Sequence, residues 1–166
     1  AARSFLNIKF DYAGEFPDLM TARDIGIYGG LTALATFDRK TIKKLLIENT
    51  SFKEFLELIP QVRELIKAFY ASKYAQCLGI LAKLKPDLML DIFLQPYINY
   101  LYSRIRERAL VQYFSPFRSV DMNIMAAAFS CSVSELEAEL VALIISGQVQ
   151  GRIDSDKKIL HARTVD

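Results

Sequence analysis

The chain has no tryptophan, a single histidine, two cysteines and almost no net charge, and each scarcity excludes something. With His161 as the only histidine, a multi-histidine metal site cannot form and a His-centred triad has little to build on, so His161 is expected to be structural or on the surface. Cys77 and Cys131 lie far apart, both in apolar helix-like surroundings and without CxxC spacing; reduced core thiols are expected. A net charge of +2 over 166 residues gives no polyanion-binding signature. No apolar run reaches the roughly 18 residues a membrane span needs, and the uncharged stretch from Ile25 to Phe37 is interrupted by glycines and threonines. Gly29-Gly30 follows no strand and has no GxGxxG spacing, and no P-loop or kinase motif occurs. Asp87 and Asp91 stand four apart, but no metal-loop pattern accompanies them, and capping and solvation account for both. No cofactor, no metal and no enzymatic activity are therefore expected.

What is present is a core. Apolar residues make up 52% of the chain, with 11 Phe and 8 Tyr, which is too hydrophobic for disorder. A chain of this size buries roughly 70% of its unfolded surface on folding. It does not begin with Met and shows no leader, so a fragment boundary at its start and a nuclear and cytoplasmic setting are expected.

Residues 1–18 are poorly periodic, broken by Gly14 and Pro17, and read as an irregular N-terminal segment. From Thr21 the pattern turns helical. Thr21 can cap, Ile27, Leu31 and Leu34 share a face, and Gly26 and Gly30 form a smooth strip that admits another backbone. Asp38 caps a helix whose inner face is Ile42, Leu45 and Leu46 and whose outer face is Arg39, Lys40, Lys43 and Lys44: a solvated face, or one for an acidic partner. Ser51 with Glu54 reads as a capping box, Pro60 as the first turn of another helix, and Ser72 as the cap of the next. Pro86 is expected to end that element, with a short helix over residues 87–94. Short links between helices of this length predict antiparallel hairpins, an irregular α-solenoid-like helical-repeat subdomain over residues 19–95. Pro96 starts the longest helix, over 96–114, with Ile98, Leu101, Tyr102, Ile105, Ala109 and Tyr113 on one side. No linker follows it, so this helix is shared with a second subdomain, 96–166, and the two are expected to move as one body.

The second subdomain begins with a β-like run at Phe117-Arg118-Ser119-Val120. A helix follows from Asp121, then the turn Ser130-Cys131-Ser132, a second helix from Val133 to Ser146, and a stop at Gly147. Two strand-like runs close it, Val149–Asp154 and Lys158–Arg163. Helix–turn–helix followed by a hairpin is the order of a winged helix. In a DNA reader the second helix presents basic or amide side chains to the bases. Here it carries Glu135, Glu137 and Glu139 and no Lys or Arg, so it would repel phosphates; the glutamates are read as favouring the helix start, and Ser132 with Glu135 has capping-box spacing. The hairpin is the better binding surface. Alternation places Gln150, Arg152 and Asp154 opposite Val149, Gly151 and Ile153, and Ile159 and His161 opposite Leu160 and Ala162. Open strand edges invite pairing with another chain, unless Lys157, Lys158 and Arg163 serve to guard them. The candidate interface is therefore Phe117, Arg118, Val120, Gln150, Arg152, Asp154, Lys158, Ile159, His161 and Arg163. A nucleic-acid reading through Arg104, Arg106, Arg108 and Arg118 is the alternative.

Helical repeats running without a linker into a winged helix resemble the PCI domain, shared by scaffold subunits of the proteasome lid, the COP nine signalosome and translation initiation factor three. The resemblance extends to residues. Asp24-Ile25-Gly26-Ile27-Tyr28-Gly29-Gly30-Leu31, Phe55-Leu56-Glu57-Leu58-Ile59-Pro60-Gln61-Val62 and Arg152-Ile153-Asp154-Ser155-Asp156-Lys157-Lys158-Ile159 are similar to the signalosome branch, with the proteasome-lid branch as the nearest alternative. The fold implied is mainly α: an irregular helical-repeat bundle running into a C-terminal winged helix with a small antiparallel sheet. The resemblance implies a non-catalytic assembly subunit whose partners are other PCI subunits and, indirectly, cullin-RING ubiquitin ligases, in a complex that removes NEDD8 from cullins. It implies no membrane and no nucleic-acid partner. Family members carry helical repeats before this region and a helical tail after it.

Overall fold

The computed structural model describes residues 1–10 and 20–163. They fall into two compact units, Ala1–Ile105 and Arg106–Asp166.

The first unit is helical. Helix α1 (Ala2–Leu6) packs on α2 (Ala22–Thr36), which also receives α4 (Thr50–Glu57) and α5 (Pro60–Tyr70). Between α2 and α4 lies α3 (Arg39–Ile42), which passes into a π-helical turn at Lys43–Ile47. Helix α6 (Tyr74–Leu88) packs against α5. A 3₁₀ turn at Gln95–Tyr97 then leads into α7 (Ile98–Phe114), within which the boundary between the units falls.

Sequence accounts for most of these starts. Thr21 and Asp24 form a reciprocal capping box, and Asp38 accepts from the Thr41 N–H at 2.8 Å. Pro60 sits in the first turn of α5, where its missing N–H leaves no gap. Three expectations are corrected. Residues 2–6 are helical rather than irregular; of the N-terminal segment, residues 11–18 lie outside the described residues. The cap of α4 is Asn49, which accepts from the Phe52 N–H at 3.2 Å, so Ser51 and Glu54 lie inside the helix. Ser72 has φ 61° and precedes the capping position, which Lys73 holds.

The fourth correction concerns Pro86. It lies inside α6 rather than ending it, because in the last turn of a helix a proline forfeits only one bond. The helix closes three residues later, the Met89 N–H bonding to the Lys85 carbonyl. Residues 89–94 form turns, not a helix. Asp91 decides this: one carboxylate oxygen accepts from the Phe93 and Leu94 N–H groups, and the other receives the Tyr28 hydroxyl at 2.5 Å. Burial, then the Asp91 hydrogen bond, push the Tyr28 pKa well above the ordinary phenol value.

The glycines of α2 set how closely its neighbours approach. A Cβ on Gly29 would lie 2.7 Å from Phe52 Cζ, one on Gly30 2.7 Å from Val62 Cγ1, and one on Gly26 3.2 Å from the Phe55 carbonyl oxygen. Phe52 and Phe55 are fully buried, so the rings cannot retreat into solvent. Gly29→Val is expected to lower unfolding free energy by about 1–3 kcal/mol through overpacking, measured by urea denaturation. An unchanged midpoint would show that the α2–α4 contact is slack.

The second unit contains the C-terminal half of α7, β1 (Ser119–Asp121), α8 (Met122–Ala128), α9 (Val133–Ile145), β2 (Gly151–Asp154) and β3 (Ile159–Ala162). The sheet is antiparallel with order β1-β3-β2, the arrangement of a winged helix. Asp121 caps α8 through the Asn123 N–H, and Ser132 with Glu135 forms the capping box expected for α9. Gly147 takes φ 75°, a left-handed turn that glycine enters at no steric penalty. The core is Met122, Met125, Phe129, Leu136, Leu140 and Leu160, all at most 1% exposed.

Cys77 is fully buried, and burial pushes its thiol up to about 12, whereas Cys131 is half-buried. A native thiol titration with a disulfide reagent at neutral pH is expected to modify Cys131 first and Cys77 only after denaturant is added.

Candidate subunit interface

The sheet register decides which predicted residues reach the surface. Ser119 pairs with His161 and His161 with Arg152; Asp121 pairs with Ile159 and Ile159 with Asp154. These six residues form two rows across one face. The other face carries Val120, Leu160 and Gly151, which are buried, and Ile153 and Ala162, which are half-buried. The alternation read from the sequence is therefore the one observed. Val120 is the exception among the candidates. At 8% exposure and opposite Leu160, it belongs to the core and presents no side chain to a partner.

The expected open hairpin is corrected as well. β3 is the central strand, paired on both sides, so Ile159 and His161 offer their side chains but not a backbone edge. The Arg118 carbonyl accepts from Ala162 N–H at 2.7 Å and the Lys158 carbonyl from Met122 N–H at 2.8 Å, which ties β1 to β3. On the other side the Gln150 carbonyl accepts from Arg163 N–H at 3.0 Å. Hydrogen-bonded and non-bonded pairs alternate along an antiparallel ladder. Residues 150, 152 and 154 therefore point their backbone groups at β3, while Gly151 and Ile153 point theirs outward. Among the described residues no strand covers that side of β2. A Cβ on Gly151 would sit 3.0 Å from the His161 carbonyl oxygen, so a small residue lets β2 lie close on β3.

The remaining candidates separate into exposed and committed side chains. Arg118, Gln150, Arg152 and Arg163 are exposed, and Phe117 is 46% exposed with its ring 5.7 Å from that of Tyr113. Asp154 instead closes the hairpin turn, accepting from the Lys157 N–H at 3.0 Å, which holds its carboxyl below the usual range. Lys158 adopts φ 56° and places Nζ 3.0 Å from Glu137 Oε2 on α9. Ser155 Oγ donates to the other oxygen of Glu137.

Glu137 and Glu139 on α9 thus have roles that the sequence reading missed. Glu135 completes the cap. Glu137 clamps the hairpin turn. Glu139 receives Arg106 Nε from α7 at 2.8 and 3.1 Å, with the guanidinium carbon 5.9 Å from the centre of the Phe129 ring. Burial acts to lower the Arg106 pKa, but the Glu139 hydrogen bond and charge outweigh it, so Arg106 is held above its ordinary value. Acids one helical turn or less apart reach three different partners because α9 is crossed by the hairpin on one side and α7 on another. No local pattern in the sequence signals this.

The outward face of α9 is apolar instead of basic. Val141 is 43% and Ile145 82% exposed, and Ile124 on α8 is 64% exposed. Their i, i+4 spacing is visible at 141 and 145, but it merges with the buried Leu140 and Leu143 stripe. With Arg106 engaged and half-buried, the alternative nucleic-acid surface loses one of its four arginines. Among the described residues no group of three or more His, Cys, Asp or Glu is placed to hold a metal ion.

A winged helix with an acidic, internally bonded second helix, following helical hairpins, is consistent with the scaffold class that the sequence resembles. Residues 81–164 match the family model described as "PCI domain", and the chain belongs to the PCI-domain family. Within it, the chain is 51% identical over its whole length to COP9 signalosome complex subunit 1b of Drosophila melanogaster, covering 31% of that protein. It is 52% identical over its whole length to COP9 signalosome complex subunit 1 of Arabidopsis thaliana, covering 38%. The 26S proteasome non-ATPase regulatory subunit 6 of Caenorhabditis elegans is 30% identical across 90% of this chain, with 38% of that protein covered. The chain thus spans about a third of the length of these curated relatives.

Glu135, Glu137 and Asp154 all have folded pKa values below their ordinary ones, for Glu135 chiefly through the Ser132 backbone bond and for Glu137 chiefly through the Ser155 hydroxyl. Depressed carboxylates stabilise fully above their unfolded pKa, about 4, and that contribution is lost as pH falls through the folded values. The thermal midpoint is expected to drop below about pH 4, and Glu137→Gln to flatten that drop while speeding amide exchange over residues 155–158. An identical pH profile in the variant would sink the clamp assignment.

Proposed function

We propose that this chain is the PCI region of a COP9 signalosome subunit of the subunit 1 type, and that it joins other PCI subunits through the outer edge of β2 and the adjoining exposed face. The observation carrying this is the outward pair of backbone groups at Gly151 and Ile153, on a strand with Arg152 exposed beside it. An uncovered edge supplies main-chain hydrogen bonds to an added strand, and neighbouring side chains select the partner. The similarity to signalosome subunits over the whole chain supports the choice of complex. In this reading the chain is a non-catalytic scaffold, acting in nucleus and cytoplasm. Its complex removes NEDD8 from cullins and so regulates cullin-RING ligases.

The test is co-purification of the chain with PCI subunits of the same complex. Ile153→Pro removes an outward N–H that β3 does not use, and Arg152→Glu reverses the exposed charge. The double variant is expected to keep its helical circular dichroism and lose at least about tenfold in association, equivalent to roughly 1.4 kcal/mol. Retained fold with unchanged association would falsify the edge. Salt-sensitive binding to duplex DNA or RNA, weakened by Arg118→Glu, would favour the nucleic-acid reading instead.

A further inference from the structure

The first unit carries a second candidate surface, independent of the winged helix. A cavity of about 790 Å³ lies between α1 and the turn formed by α3 and the π-helical segment Lys43–Ile47. Arg3, Lys40, Lys43 and Lys44 line it, with Glu48 the one acid among its lining residues. Glu48 lies 3.6 Å from Lys43, both side chains more than half exposed, so that pair neutralises little. Arg3, Lys40 and Lys44 have no ion pair among the described residues. Arg39, on the same helix, is occupied elsewhere, its guanidinium carbon 4.9 Å from the centre of the Tyr70 ring.

Lys40, Lys43 and Lys44 face one way because they stand at i, i+3 and i+4, on one side of a helical segment that ends in the π turn. Glu48 N–H bonds to the Lys43 carbonyl, five residues back, so the segment holds an extra residue per turn. Ile42 and Leu46 stay fully buried, while Leu45 remains half-buried at the cavity beside Lys44. Such a turn costs hydrogen-bond geometry relative to a plain α-helix and recurs at functional sites. Leu6, from α1, adds a second apolar lining residue.

We propose that this cavity docks an acidic peptide segment of a partner protein, its carboxylates on the lysines and an aliphatic side chain against Leu6 and Leu45. The chemistry favours carboxylates on a peptide over a phosphate ligand for two reasons. Lysine dominates, with Arg3 the one cation able to make a bidentate phosphate contact. The helix starts on either side each have one first-turn N–H already occupied, Thr41 by Asp38 and Phe52 by Asn49, which leaves fewer backbone donors for a phosphate.

The test uses a fluorescein-labelled peptide of repeated Glu-Glu-Leu, titrated by anisotropy onto the full chain at low and moderate salt, with a Lys-Lys-Leu peptide and inorganic tripolyphosphate as the other arms. Binding of the acidic peptide is expected to weaken with salt. It should fall by roughly tenfold or more in K40E/K43E/K44E, about the worth of a few exposed ion pairs. The matched variant R23E/K73E/K83E, which carries the same net charge, should retain it. As a readout independent of the variants, the peptide is expected to shield Lys40, Lys43 and Lys44 from reductive methylation read by mass spectrometry. No binding, equal loss in both triple variants, unshielded lysines, or tripolyphosphate binding in place of the peptide would each overturn the proposal.

Discussion

Lys158 is where the second unit is tied together. Its left-handed backbone turns the hairpin, its carbonyl accepts the first N–H of α8, and its ammonium meets Glu137 on α9. One residue therefore connects sheet, first helix and second helix. The ion pair itself is partly solvated, at 41% and 21% side-chain exposure, and pairs of that kind are individually modest. Its value lies in position. With Ser155 on the same carboxylate, it fixes the angle at which the wing leaves α9, and hence where the outer edge of β2 points.

That constraint links to the acidic character of α9. Glu137 and Glu139 hold α9 to the hairpin and to α7, while Glu135 caps it. A helix whose acids are consumed in this way leaves an outward face of Val141 and Ile145, a surface suited to another protein and unsuited to phosphates. The same charges that argue against groove binding are thus part of the mechanism that positions the wing. In the first unit a different constraint governs. Gly26, Gly29 and Gly30 let α4 and α5 press against α2, and Asp91 with Tyr28 pins the turn after α6.

Much of this was legible in the residues. The caps at Thr21 and Asp38 and the capping box at Ser132 follow from side chains that bond their own helix starts. The strand alternation at Arg152, Ile153, His161 and Leu160 follows from a period of two with one face buried. Ser51 was misread as the cap of α4 because several polar residues compete for that helix end, and packing chose Asn49. Pro86 was misread because a proline is tolerated in a final turn. Val120 was misread because a three-residue strand has too little pattern to show which side faces inward.

The sequence by itself determined the helical hairpins, the winged-helix order and the family, because these rest on local periodicity, caps and residue identities along the chain. Only the tertiary structure decided the strand order β1-β3-β2, which covers β3 and leaves β2 as the open edge of the hairpin. It also decided which partners Glu137 and Glu139 meet, and it brought Arg3 of α1 beside Lys40, Lys43 and Lys44 at one cavity. The physical reason is the same in each case. Pairing order and charge neutralisation depend on which segments, distant in sequence, share a surface, and that is settled by packing rather than by any local pattern.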